Sequence, residues 1–216
     1  MRINLQFFGG RGAGSSGGGT GGVNPADIVE TESLLSASGK TPEINQVMQS
    51  VKDVYDKYGK TLTDIQLATM KGKGSLTMAY YDSNGNLAIN KAYFDSKTMT
   101  KAYDECVKKG FHPSRGNKTG LEAVSYHELG HKLTEDAGRK MGLGDWQLDK
   151  ASNTIMKNAK KSLGKMSIDA MRKAVSGYAK TNNAEAIAEA FADVQCNGKK
   201  ASKVSQAIVK ELEKYL

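Results

Sequence analysis

Only three histidines occur in these 216 residues, and two of them stand four apart, as His127-Glu128-Leu129-Gly130-His131. Residues four apart share a face on a helix, so the pair gains meaning only if this segment is helical. An independent signal predicts that it is. Thr119 followed by Glu122 reads as a capping box, in which each side chain accepts from the other residue's backbone N–H. It opens a helix expected to run through about Glu135. On that helix both imidazoles reach one metal ion, and Glu128 projects beside them, placed to take a proton from a metal-bound water. The third histidine, His112, reads as a loop residue rather than a ligand.

A catalytic zinc takes three protein ligands and keeps one position for water. The extended pattern HExxHxxGxxH would supply a third histidine, but Thr134 and Ala137 stand where it needs Gly and His. The third ligand must then come from elsewhere, and Asn182 to Asp193 (NNAEAIAEAFAD) offers Glu185, Glu189 and Asp193 along one helix face. Three carboxylates on one stripe repel one another. A divalent cation with two histidines gives a physical reason to tolerate them, and a solvated acidic face is the alternative. An E-x-x-x-D arrangement, as in thermolysin-like enzymes, would select Glu189 as ligand with Asp193 behind it, so spacing alone leaves Glu185 and Glu189 both open.

The rest of the chain supports one domain. Nine glycines fall in the first 22 residues, and such a stretch cannot bury enough apolar surface to offset its ordering entropy. Residues 1–24 are expected to be a flexible Gly-rich tail and 25–216 the folded domain. Thr41 and Pro42 start a helix that Gly59 ends. Strands are expected at Asp64 to Met70, Ser75 to Tyr81 and Leu87 to Asn90, with a hairpin turn at Asp82 to Asn86. Further helices are expected over 98–109, 146–162, 167–179, 182–196 and 201–215. The pattern is α+β, a small mixed sheet followed by a helical region. No apolar run approaches the roughly 18 residues of a membrane span. Met1 to Phe8 lacks the features of a secretory signal, so synthesis in the cytoplasm is expected. Cys106 and Cys196 are too few for a disulfide framework. The net charge of +8 would suit nucleic acid, but the lysines are dispersed, and Lys157, Lys160, Lys161 and Lys165 fit a solvated helix face.

Two separated motifs carry a resemblance. Residues Tyr178 to Phe191 read YAKTNNAEAIAEAF, which resembles the third-ligand region of the anthrax lethal factor-like (ATLF-like) branch of zincin metallopeptidases, and HELGH agrees with the upstream motif of that branch. The likeness spans roughly residues 41–216. It implies a zincin-like fold binding zinc (Zn2+) through His127, His131 and Glu185. Glu189 would then orient a ligand histidine through a hydrogen bond, and the Tyr178 hydroxyl would donate to the oxyanion of the tetrahedral intermediate. The implied reaction is peptide-bond hydrolysis with Glu128 as general base. The opening MRINLQFF resembles the first residues of proteins encoded in the capsid-gene region of phages infecting Gram-positive bacteria. That likeness implies capsid or head proteins as partners through the tail, and virion association.

Two other readings compete. One is a non-enzymatic structural or scaffolding protein of a phage particle with a degenerate zinc site. The other is a basic nucleic-acid-binding module, which predicts steeply salt-dependent DNA binding. Under the peptidase reading, an edge strand at Leu87 to Asn90 would pair with an extended substrate.

Overall fold

The computed structural model describes residues 8–9, 25–72, 76–82, 84–144 and 147–216. Most of the expected tail and residues 73–75 lie outside the described residues; the strand expected over Ser75 to Tyr81 is found only at Ala79–Tyr81, and residues 76–78 are described but not extended into the sheet. Among the described residues, five strands and seven α-helices follow one another in the order β1 (Phe8–Gly9), β2 (Ile28–Ser33), α1 (Thr41–Tyr58), β3 (Asp64–Met70), β4 (Ala79–Tyr81), β5 (Asn86–Asn90), α2 (Ser96–Lys108), α3 (Gly120–Lys140), α4 (Leu148–Ser162), α5 (Ile168–Val175), α6 (Asn183–Asn197) and α7 (Lys203–Leu212). The class is α+β, with the sheet drawn from the first half of the chain and a helical second half.

The sheet order is β1-β4-β5-β3-β2. β4 and β5 form an antiparallel hairpin around Gly85, β5 and β3 run parallel, and β3 pairs antiparallel with β2. The two-residue β1 pairs parallel with β4 through Phe8 and Gly9. This order corrects the expected edge strand. Leu87 to Asn90 lies between β4 and β3, with both hydrogen-bonding edges already paired and all four residues buried. It has no edge to offer a substrate. β2 was not expected at all. Ile28, Val29 and Thr31 are the β-branched residues that favour a strand there, but Glu30 and Glu32 interrupt them and five of its six residues are exposed.

Several helix boundaries shift for local reasons. Lys40, not Thr41, is the N-cap of α1, and no side chain caps it; Pro42 still sits in the first turn. α2 starts two residues before the expected position because the Asp95 carboxylate accepts from the Thr98 N–H. The Thr119–Glu122 capping box forms in both directions, and α3 then runs beyond Glu135 to Lys140, with Ala137 and Gly138 buried in the core. The helix expected over 167–179 stops at Val175, and a single 3-10 turn follows at Tyr178–Lys180.

α3 is the central helix. It packs against α1, α2, α4 and α6, and β4 lies along it. Leu121, Val124, Tyr126, Leu129 and Leu133 are all essentially inaccessible, so the helix is buried on most sides rather than amphipathic. The sheet is tied to it by the Tyr81 hydroxyl, which donates to Glu135 at 2.8 Å. Gly130 sets the approach of α6. A Cβ at that position would stand 2.8 Å from the Ala188 Cα and 3.2 Å from the Phe191 Cβ. Only a residue without a side chain lets the two helices come this close, and this contact brings the acids of α6 to the histidines of α3.

Candidate metal centre

His127 and His131 project from the middle of α3, and Glu185 from the first turn of α6. Their donor atoms form a nearly equilateral triangle. Nε2 of His127 and Nε2 of His131 are 3.2 Å apart, and Oε2 of Glu185 lies 3.2 Å from the first and 3.3 Å from the second. Three ligands at zinc–nitrogen and zinc–oxygen bond lengths near 2.0–2.1 Å in a tetrahedral site are separated by about 3.3–3.4 Å. The observed edges match that figure. Glu185 Oε2 is buried and closes no hydrogen bond of acceptable geometry with either imidazole. A buried carboxylate oxygen without such a partner is costly unless a cation meets it. The donor set, two imidazoles and a carboxylate, is one that zinc accepts.

One carboxylate oxygen of Glu128, one ring nitrogen of His127 and one of His131 lie within 4.8 Å of one another. Both oxygens of Glu128 are buried without a hydrogen bond of good geometry, and the Tyr81 backbone N–H favours the ionised form. Burial is the main cause that pushes the Glu128 carboxyl up to about 7, against the lowering effect of His127 and His131. A carboxyl poised near neutrality beside the two imidazoles is suited to exchanging a proton with water.

Glu189 lies one turn beyond Glu185, on the far side of the His127 ring. Its Oε1 is 2.8 Å from Nδ1 of His127, an ion-pair contact whose angles, like those of Glu185 Oε2 with the imidazoles, fall short of hydrogen-bond geometry. The Ser176 hydroxyl donates to Oε2 at 2.7 Å, and His112 Nδ1 stands 3.1 Å from each oxygen. Burial opposes ionisation of both acids, yet His131 and His127 hold Glu185 at about 2, and His112 and His127 hold Glu189 at about 2. Burial would likewise lower the His127 imidazole, but its contacts with Glu185 and Glu189 prevail and raise it to about 10. Without a cation, the cluster is therefore charged on both sides.

Tyr178 is buried, with its ring 6.0 Å from that of His127. Burial first, then the negative charge of Glu185, Glu128 and Glu189, lifts its phenol well above the ordinary value. It stays a protonated donor at neutral pH. His131 is the most open of these side chains, 10% exposed against 1% for His127 and Glu185, so solvent reaches the cluster on that side.

The structure thus brings together His127, Glu128, His131, Tyr178, Glu185 and Glu189. It does not bring Asp193, which accepts instead from Asn197 and from the Ser202 backbone. Sequence reasoning missed Ser176 and the contact of His112 with Glu189. Neither has a spacing signal, because both come from loops that meet α6 only in the folded chain. A scan against protein-family models and searches of curated proteins and solved structures return no match for this chain. The side-chain geometry and the two sequence motifs are therefore what bear on function.

Proposed function

We propose that this chain is a zinc-dependent metalloendopeptidase with a zincin-like fold of the ATLF-like kind. The observation that carries the reading is the near-equal 3.2–3.3 Å spacing of the His127, His131 and Glu185 donor atoms, with the Glu128 carboxyl buried beside the histidines. A zinc ion held there would supply Lewis acidity, acidifying water and polarising a carbonyl. Glu128 takes the proton of the attacking water and delivers it to the leaving amine. Its place in a water-poor site keeps it basic enough to do so near neutral pH. Tyr178 donates its phenolic hydrogen to the oxygen that becomes negative as the carbonyl turns tetrahedral. Glu189 holds the His127 ring by its Nδ1 edge, which keeps the opposite nitrogen turned to the triangle. The peptide bond as substrate is supported by the likeness of HELGH and YAKTNNAEAIAEAF to the ATLF-like pattern.

The test is zinc content by elemental mass spectrometry on protein purified without a metal-affinity tag, with cleavage of a peptide library in parallel. The expected result is about one zinc per chain, as a single three-ligand site requires. Glu185→Ala loses the zinc. Glu128→Gln keeps it and cuts cleavage by at least about 10²-fold. A wild-type chain that takes up no zinc on reconstitution would sink this reading and favour the structural one.

A further inference from the structure

His112 sits in the loop between α2 and α3, yet its side chain is fully enclosed. Its Nδ1 faces both oxygens of Glu189 at 3.1 Å. An ionised carboxylate can only accept, so Nδ1 carries the proton and donates. The ring is stacked on Tyr103 at 5.3 Å and 15°, and meets Phe111 and Tyr178 edge-on at 5.1 and 5.7 Å. It is held on its faces as well as at its nitrogen.

The same loop reaches Tyr178 through the main chain. The Gly177 N–H donates to the Gly110 carbonyl at 2.8 Å, and the Tyr178 N–H to the Phe111 carbonyl at 3.0 Å. The Phe111 ring lies 5.2 Å from that of Tyr178. The approach depends on Gly177, where a Cβ would stand 2.9 Å from the Gly110 carbonyl oxygen and 3.2 Å from the Phe111 Cα. One short loop therefore grips the carboxylate behind a candidate ligand and the backbone of the candidate oxyanion donor.

We propose that the segment 110–113 is a positioning element of the metal centre: His112 fixes His127 through Glu189, and the backbone of Gly110 and Phe111 fixes Tyr178. This rests on the metallopeptidase reading. An imidazole is rigid, so a carboxylate that pins one nitrogen also aims the other. Glu189 can pin His127 only if it is itself held, and His112 and Ser176 hold it. His112 is not one of the three donor residues; it reaches His127 through Glu189, and its ring also meets that of Tyr178 edge-on.

The full-length chain tests this with zinc affinity, measured by competition with a chromogenic chelator on protein shown to be folded by circular dichroism. His112→Leu removes the donor, whereas His112→Asn places an amide N–H near the Nδ1 position. His112→Leu is expected to weaken zinc binding about 10- to 100-fold, with His112→Asn within about threefold of wild type. Gly177→Ala, which pushes the Gly110–Phe111 backbone away from Tyr178, is expected to lower kcat by a larger factor than it lowers zinc affinity. A folded His112→Leu chain with wild-type zinc affinity would overturn the proposal, as would His112→Asn binding no better than His112→Leu. Should His112→Leu fail to fold, His112→Gln, whose donor sits beyond the Nδ1 position, must bind zinc more weakly than His112→Asn; equal affinity overturns the proposal. A wild-type chain that binds no zinc removes the metallopeptidase reading and this inference with it. A wild-type chain that binds zinc while the variants match it removes this inference alone.

Discussion

Glu128 is the residue whose environment says most about the proposed chemistry. Burial raises its carboxyl from 4.5 to about 7. A general base must be ionised, so activity falls as pH drops through its pKa. A bound divalent cation stabilises the ionised form and draws that pKa down. The acid limb of kcat/KM is therefore expected between 4.5 and about 7. The measurement is a pH–rate profile with zinc content determined at each pH, because protonation of His127 and release of metal would also lower the rate. A limb above pH 7, with zinc still bound, would refute this role for Glu128. At the same scale, the sequence disclosed the histidines and the acids by their spacing on two helices. It could not separate Glu185 from Glu189 without the resemblance, since both lie on one face. The distances separate them: Glu185 meets the Nε2 atoms and Glu189 meets the opposite edge of His127.

Two elements make the site, and Gly130 is where they touch. Gly130→Ala would gain up to about 1 kcal/mol of helix propensity. Against that, its Cβ would collide with the backbone of Ala188 at 2.8 Å, a neighbour that cannot rotate away. Overpacking of this kind costs about 1–3 kcal/mol. The expected outcome is a net loss of stability in urea unfolding, with weaker zinc binding because Glu185 rides on the helix that is pushed off. A more stable Ala variant with unchanged zinc affinity would show that the close approach is not what aligns the ligands. Elements also explain where sequence reading fell short. The break between α5 and α6 was expected as continuous helix through residue 179. Ser176 instead turns extended, donates to Glu189 and accepts from the Ala179 N–H. Those partners lie outside the segment, so local propensity cannot register them.

Across the whole molecule, the buried phenols and thiols set a limit at alkaline pH. Burial raises Tyr58, Tyr80 and Tyr126 to about 12, and Cys106 and Cys196 also to about 12. Unfolded, thiols near 9 and phenols near 10 lose their protons first. The unfolded chain then binds fewer protons than the native one, so stability falls as pH rises. The contribution is complete below pH 9 and is lost progressively up to about 12. Urea unfolding at pH 8, 9.5 and 11, with tyrosinate absorbance followed in the native state, should show falling stability and delayed ionisation of the buried tyrosines. Constant stability across that range would contradict the burial of these groups. The order of strands belongs to the same scale. Leu87 to Asn90 was legible as a strand because its pattern is local, but its place inside the sheet depends on β3, more than fifteen residues earlier, pairing in parallel. The sequence by itself determined the helices that carry His127, His131 and Glu185, since capping and periodicity act within a few residues. Only the tertiary structure decided that α3 and α6 meet at Gly130 with three donor atoms equidistant, and that the loop of His112 closes behind them. Those contacts join positions far apart in the chain, and their strength comes from burial, which exists only once the chain has folded.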